Sequence, residues 1–159
     1  MPSRAAIPNR AVLIGAGVVA LLLLLLLLRG CGEDSLSAGE LRTQASAICH
    51  DATAATDRVA VPNAPAGGAR FLGEGLAYMR PALHDLRQLK APEDLRDRYE
   101  RAVALGVEEA ALIGRTEQEI RRDGDVIASF RQLQRDLAPI VQQENELWRA
   151  LEIPACVRR

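Results

Sequence analysis

The sequence predicts an all-α protein, an N-terminal transmembrane helix followed by an antiparallel four-helix bundle. Three observations carry that expectation. An unbroken apolar run ends at Leu28, four stripes of apolar residues at helical spacing follow it, and the composition holds only two Phe, two Tyr and one Trp, poor material for a sheet. Beyond the run and the short segment that follows it about 125 residues remain for folding, enough for one modest core and no second domain.

The run itself comes first. Ala11 to Leu28 are 18 consecutive uncharged residues, and a helix of them spans roughly 27 Å, the thickness of a hydrocarbon core. A cleaved signal has a shorter apolar region, roughly 7 to 15 residues, closed by a small-x-small site; no convincing Ala-x-Ala follows here. Arg4, Arg10 and the amino terminus stand on one side and Arg29 alone on the other, which puts the short tail in the cytoplasm. The expected layout is a cytoplasmic tail at 1–10, a signal anchor at 11–28, a stalk at 29–36 and an extracytoplasmic bundle at 37–157, single-pass in the cell membrane. The alternative is a lipoprotein. Leu28, Arg29, Gly30 and Cys31 occupy the four positions of a lipobox and make Cys31 the lipidation candidate. Arg29 departs from the small uncharged residue that pattern wants, since a guanidinium at the membrane surface prefers head groups and water.

The helices follow in order. Ser37-Ala38-Gly39-Glu40 reads as a capping box with Leu36 and Leu41 as its staple. Leu41, Ala45, Ile48, Ala52, Ala55 and Val59 then make one apolar stripe, which VPNAPAGG at 61–68 interrupts. The second stripe is Leu72, Leu76, Met79, Leu83 and Leu86, with Pro81 expected to kink rather than end the helix. In KAPED, Pro92 suits the first helical position, and Glu93 and Asp94 suit the first turn. Leu95, Tyr99, Val103, Gly106, Ala110, Ile113 and Ile120 continue to RRDGD, where Gly124 can take the left-handed cap. Asp125 can cap the fourth helix, whose stripe is Val126, Phe130, Leu133, Leu137, Val141, Leu147 and Leu151, with Pro139 a second kink. Short loops between such stripes imply an up-down-up-down bundle.

Charge excludes some partners. All 21 acidic residues lie beyond the run, and with its flanking Arg4, Arg10 and Arg29 set aside they face 17 Arg and Lys, a net charge of −4. Acid and base interleave, as in LRDRYERAVALGVEEA, which reads as a solvated helix face; a nucleic-acid binder would cluster base on one side. No nucleic acid is expected as a partner.

Cys49 and Cys156 are the informative pair. In an oxidising envelope two thiols outside the anchor are expected to pair, and closing a segment of about 107 residues is worth roughly 4 to 5 kcal/mol at most. A Cys31–Cys49 pairing is disfavoured, because the capping box at Ser37 commits the chain to a helix that carries Cys49 about 18 Å from its start. Reaching Cys49 from the end of the last helix poses a problem of level, relieved if the first turns of helix one project below the bundle. Cys49 with His50 as nucleophile and base fails on geometry, as adjacent helical residues point about 100° apart.

ICHDA, LRQLKAPEDLRDRY and WRALEIPAC together resemble a broad group of uncharacterised actinobacterial helical lipoproteins and membrane-anchored envelope proteins. The resemblance spans most of residues 36 to 157 and rests on loose motifs: a Cys in the first helix, Leu-x-x-Leu followed by Pro, and a terminal Cys after the last helix. It implies the bundle and the disulfide, and no activity.

His50, His84 and the thioether of Met79 are the weak ligand candidates, since a bundle can hold haem or metal between facing helices. There is no Glu-x-x-His, Cys-x-x-Cys-His or His-Glu-x-x-His spacing, so a cofactor or metal is not expected and His84 is expected to hydrogen-bond near Tyr99. Glu117 and Glu144 fall in phase with the stripes of helices three and four but at different levels, which rules out a dyad between them; hydration at the bundle end or pairing with Arg is the expected fate of each. Gly73-Glu74-Gly75 lacks the strand a phosphate loop needs. No catalytic constellation is expected. The reading that remains is a non-enzymatic, membrane-tethered envelope protein that presents a stapled bundle to a protein or cell-wall partner. A ligand- or haem-binding bundle is the alternative.

Overall fold

The computed structural model describes residues 35–158. The expected tail, the anchor at 11–28, the lipidation candidate Cys31 and most of the stalk lie outside the described residues. Among the described residues no helix is long and apolar enough to cross a membrane. The described residues form four helices, α1 (Ala38–Thr56), α2 (Gly68–Gln88), α3 (Glu93–Asp123) and α4 (Val126–Ala150), with 3-10 turns at Pro65–Gly67 and Pro154–Cys156.

Local chemistry sets the boundaries. The Ser37 hydroxyl accepts from the Glu40 amide at 3.3 Å and the Glu40 carboxylate accepts from the Ser37 amide at 2.9 Å, the expected capping box. The bonds from the Ser37 hydroxyl and amide hold the Glu40 carboxyl below the ordinary glutamate value. Pro92 is the N-cap of α3 rather than its first helical residue, because its ψ of 155° is extended and the helix begins at Glu93. Gly124 ends α3 at φ 75°, and the Asp125 carboxylate then accepts from the Ala128 amide at 3.0 Å to start α4. Pro81 and Pro139 sit inside α2 and α4; each lacks an amide donor, and neither ends its helix.

The helices form a bundle in which α3 packs between α2 and α4, while α1 packs on α2 and on the Pro154–Cys156 turn. With 19 residues against 31 in α3, α1 covers one end only. There Leu41, Leu76, Tyr99, Trp148, Leu151 and Ile153 make the larger core. Tyr99 meets Trp148 edge-on at 5.8 Å and donates its hydroxyl to the Leu86 carbonyl at 2.7 Å. Burial pushes the Tyr99 phenol up from its ordinary value. At the Gly124 end α2, α3 and α4 enclose a smaller core of Ala69, Leu72, Ile120 and Leu133.

Two expectations are corrected here. The first turns of α1 do not project below the bundle: Leu41 and Ala45 are fully buried, and the Leu36 amide already donates to Lys90 of the α2–α3 junction. The stretch LRDRYERAVALGVEEA is not wholly a solvated face either. Because α3 is flanked on two sides, Ala102, Leu105 and Glu109 within it are buried together with the predicted Tyr99 and Val103.

A reversal after α4 replaces the projecting turns as the solution to the level problem. The Glu152 amide donates to Arg149 and the Ile153 amide to Trp148, both at 3.0 Å, and Glu152 takes a left-handed φ of 60°. This is the hydrogen-bond pattern of a Schellman ending, with Glu where glycine is usual. It turns the chain back so that the short tail Ile153–Cys156 climbs along α1.

Candidate functional site

The Cys49–Cys156 disulfide closes that tail onto α1 across a sequence separation of 107, with a Cα–Cα distance of 5.1 Å. The Cys156 sulfur lies 3.6 Å from the Ala45 carbonyl oxygen, one turn before Cys49. Further back, the Arg42 guanidinium donates to Leu151 and pairs with Glu152 at 2.9 Å. The tail therefore follows the first three turns of α1 and bridges the space between α1 and α4.

The space under this bridge is a groove of about 650 Å³, walled by α1 at Cys49 and Thr53, floored by Met79 and Leu83 of α2, and closed by Trp148 and the tail. Its polar end is formed by Glu144 and Arg158. Glu144 and Glu109, on facing helices, are 4 % and 3 % exposed. The Trp148 indole N–H donates to Glu144 Oε1 at 3.0 Å, and the Arg158 guanidinium lies 2.9 Å from Glu109 Oε1 and 3.9 Å from Glu144 Oε2. The two Oε2 atoms are buried and have no protein donor. Burial pushes the Glu109 carboxyl up to about 7; the Arg158 charge pulls it back, and the charge and hydrogen bond of Glu144 add to the rise. Asn145 holds the backbone of Arg158 in both directions, donating to its carbonyl at 3.1 Å and accepting from its amide at 2.7 Å.

Gly106 makes this arrangement possible. A β-carbon there would stand 2.8 Å from Leu83 Cδ2 and 3.2 Å from Glu144 Oε1, so both side chains would have to shift to admit it.

The predicted site residues distribute unevenly. Cys49 and Cys156 meet. His50 and Met79 both line the groove, but His50 is exposed and its ring lies 3.4 Å from the Asp51 carboxylate. His84 is exposed, and the Tyr99 hydroxyl near its level bonds Leu86 instead, which corrects the expected His84 hydrogen bond. His84 is not part of the lining that His50 and Met79 share, and among the described residues no three His, Cys, Asp or Glu side chains gather as a metal site. Glu117 pairs with Arg121 at 2.8 Å and stays apart from Glu144, as expected.

Sequence reasoning missed Glu109 and Trp148. The signal for Trp148 was its i+4 spacing from Glu144, which places indole and carboxylate on one face. Glu109 offered only its spacing of three and four residues from Gly106 and Leu105.

A second concavity, about 450 Å³ and largely apolar, lies at the other end between the 61–65 loop and α4, where Val61 and Ile127 are exposed. Comparison of the chain with family models, with curated proteins and with solved structures finds no match.

Proposed function

We propose that the chain is a non-enzymatic envelope protein, tethered to the cell membrane through residues 11–28, whose disulfide-stapled bundle engages a protein or cell-wall component outside the cell. The observation that carries this reading is the Cys49–Cys156 bond: such cross-links persist in oxidising compartments, and the apolar run of 18 residues ahead of the bundle supplies a tether. The resemblance to actinobacterial anchored envelope proteins and lipoproteins points the same way. The groove is the face best suited to contact, since it combines apolar walls with a charged end.

The test uses the full chain in its native membrane, with a photo-crosslinking residue at Thr53 on the groove wall and, as control, at exposed Glu119 on α3. A discrete adduct formed from Thr53 and absent from Glu119 is expected. Equal patterns from both positions overturn the reading. Mass spectrometry of the mature N terminus separates the two tethers, because a diacylglyceryl Cys31 as first residue replaces the anchor by a lipid.

The second reading, a ligand- or haem-binding bundle, is favoured by the volume of the groove, with His50 and Met79 on its lining. An absorption spectrum and a metal analysis of protein isolated from its own envelope distinguish it. A stoichiometric chromophore lost in Met79→Ala would establish it.

A further inference from the structure

We infer that Glu109 and Glu144 hold a single proton between them, and that this shared proton clasps α3 to α4 beneath Arg158, so that the tail end of the groove opens when the proton leaves. Each carboxyl group has one oxygen served by a protein donor, Arg158 for Glu109 and Trp148 for Glu144. The other oxygen of each is buried without a donor. One proton answers both deficits at once: the oxygen that carries it donates, and the oxygen opposite accepts. Left separate, each deficit would carry its own desolvation penalty.

Charge leads to the same arrangement. Two acids share one cation, so the cluster is neutral with one proton and carries an excess negative charge without it. Arg158 and Glu144 are the charged groups that bear on Glu109. Around its two partners the groups are uncharged: Trp148 bonds Glu144, Asn145 bonds the Arg158 backbone, and Leu83 of α2 fills the notch at Gly106. The elevated pKa of Glu109, about 7, agrees with a proton retained in the fold.

The mechanical link is the tail. Cys156 ties it to α1, and two residues later Arg158 ties it to α3 and α4. Loss of the proton sets two like charges side by side in a buried site, and separation of the carboxyl groups with entry of water relieves them. Because the folded-state pKa is raised, this contribution is full below the unfolded value of about 4.5 and is lost as pH rises through about 7. On the proposed extracytoplasmic location the groove would answer to external pH, but the inference itself rests on the acid pair alone.

The experiment follows glutamate carboxyl carbons by NMR in the full chain, together with amide exchange at Asn145–Val157, corrected for intrinsic rates, between pH 4.5 and 8.5. One carboxyl group titrating near 7 is expected, with protection at these amides falling by up to about tenfold per pH unit between pH 4.5 and about 7 and levelling off above it. Glu109→Gln, whose amide donates at every pH, should keep protection flat, and Arg158→Gln should move the midpoint upward. Should Glu109→Gln fail to fold, Glu144→Gln removes the same titration and is read in its place. Both carboxyl groups titrating below pH 5 in the unaltered protein, or a fall in protection that survives the Gln substitution, overturns the inference.

Discussion

The side chain of Arg42, in the second turn of α1, donates to the carbonyl oxygen of Leu151 at the end of α4, a contact of 3.0 Å across 109 positions of sequence. It sets the level at which the last helix stops against the first. Everything that follows in the chain, the reversal at Glu152 and the climb to Cys49, starts from that level.

Glu152 holds its left-handed φ of 60° without being glycine. Glu152→Gly removes a backbone penalty of roughly 1–2 kcal/mol and sacrifices an exposed ion pair worth about 0–1 kcal/mol. The variant is expected to match or exceed the parent in urea unfolding. Glu152→Val, β-branched at a positive φ, should fall below the parent by more than 1 kcal/mol, to order of magnitude about the same strain. Equal midpoints for the two variants would contradict the assigned turn.

Breaking the staple by Cys156→Ser is expected to cost about 2–5 kcal/mol in denaturant unfolding. Reduction of the unaltered protein should reproduce that loss, and amide exchange should speed up first along Ile153–Val157. A midpoint indifferent to reductant would show that the bond does not hold the fold.

The packing notch at Gly106 predicts a contrast between two helical glycines. Gly106→Ala should destabilise by about 1–3 kcal/mol, since the added carbon meets Leu83 and Glu144. Gly75→Ala, with open space around the same addition, should stabilise by about 0.5–1 kcal/mol through helix propensity. The pair is read by thermal unfolding; the same sign for both would be inconsistent with the assigned packing.

Trp148→Phe keeps most of the ring against Tyr99 and deletes the N–H that serves Glu144. The expected cost is about 1–3 kcal/mol for a buried oxygen left without its donor. A loss under 0.5 kcal/mol, against that general range, would mean that Glu144 finds another donor at no cost.

The helices were legible where local chemistry sets their ends. Ser37 with Glu40, Gly124 and Asp125 each carry a signal that acts within four residues, and the structure places α1, α3 and α4 by them. The disulfide was legible from its two half-cystines, but its route was not, because a left-handed Glu152 lacks the glycine that ordinarily marks such a turn. The acid pair was half legible. Glu144 stood in phase with the α4 stripe, whereas Glu109 sits on the second buried face of α3, and a reading that allows each helix one apolar stripe assigns its charged residues to solvent. Arg158, which balances the pair, is brought in by the tail, a long-range placement that no periodicity encodes.

The disulfide also decides how the molecule bears tension. Force transmitted along the chain from before Cys49 to beyond Cys156 crosses between those residues through a covalent bridge, over a Cα–Cα span of 5.1 Å, and bypasses the 107-position path through α2, α3 and α4. Only the first turns of α1 and the short end after Cys156 lie in series with the load. A pull that would strip an unlinked bundle helix by helix can here unwind α1 up to Cys49 and no farther, so the domain should lengthen by a short, fixed increment and then hold.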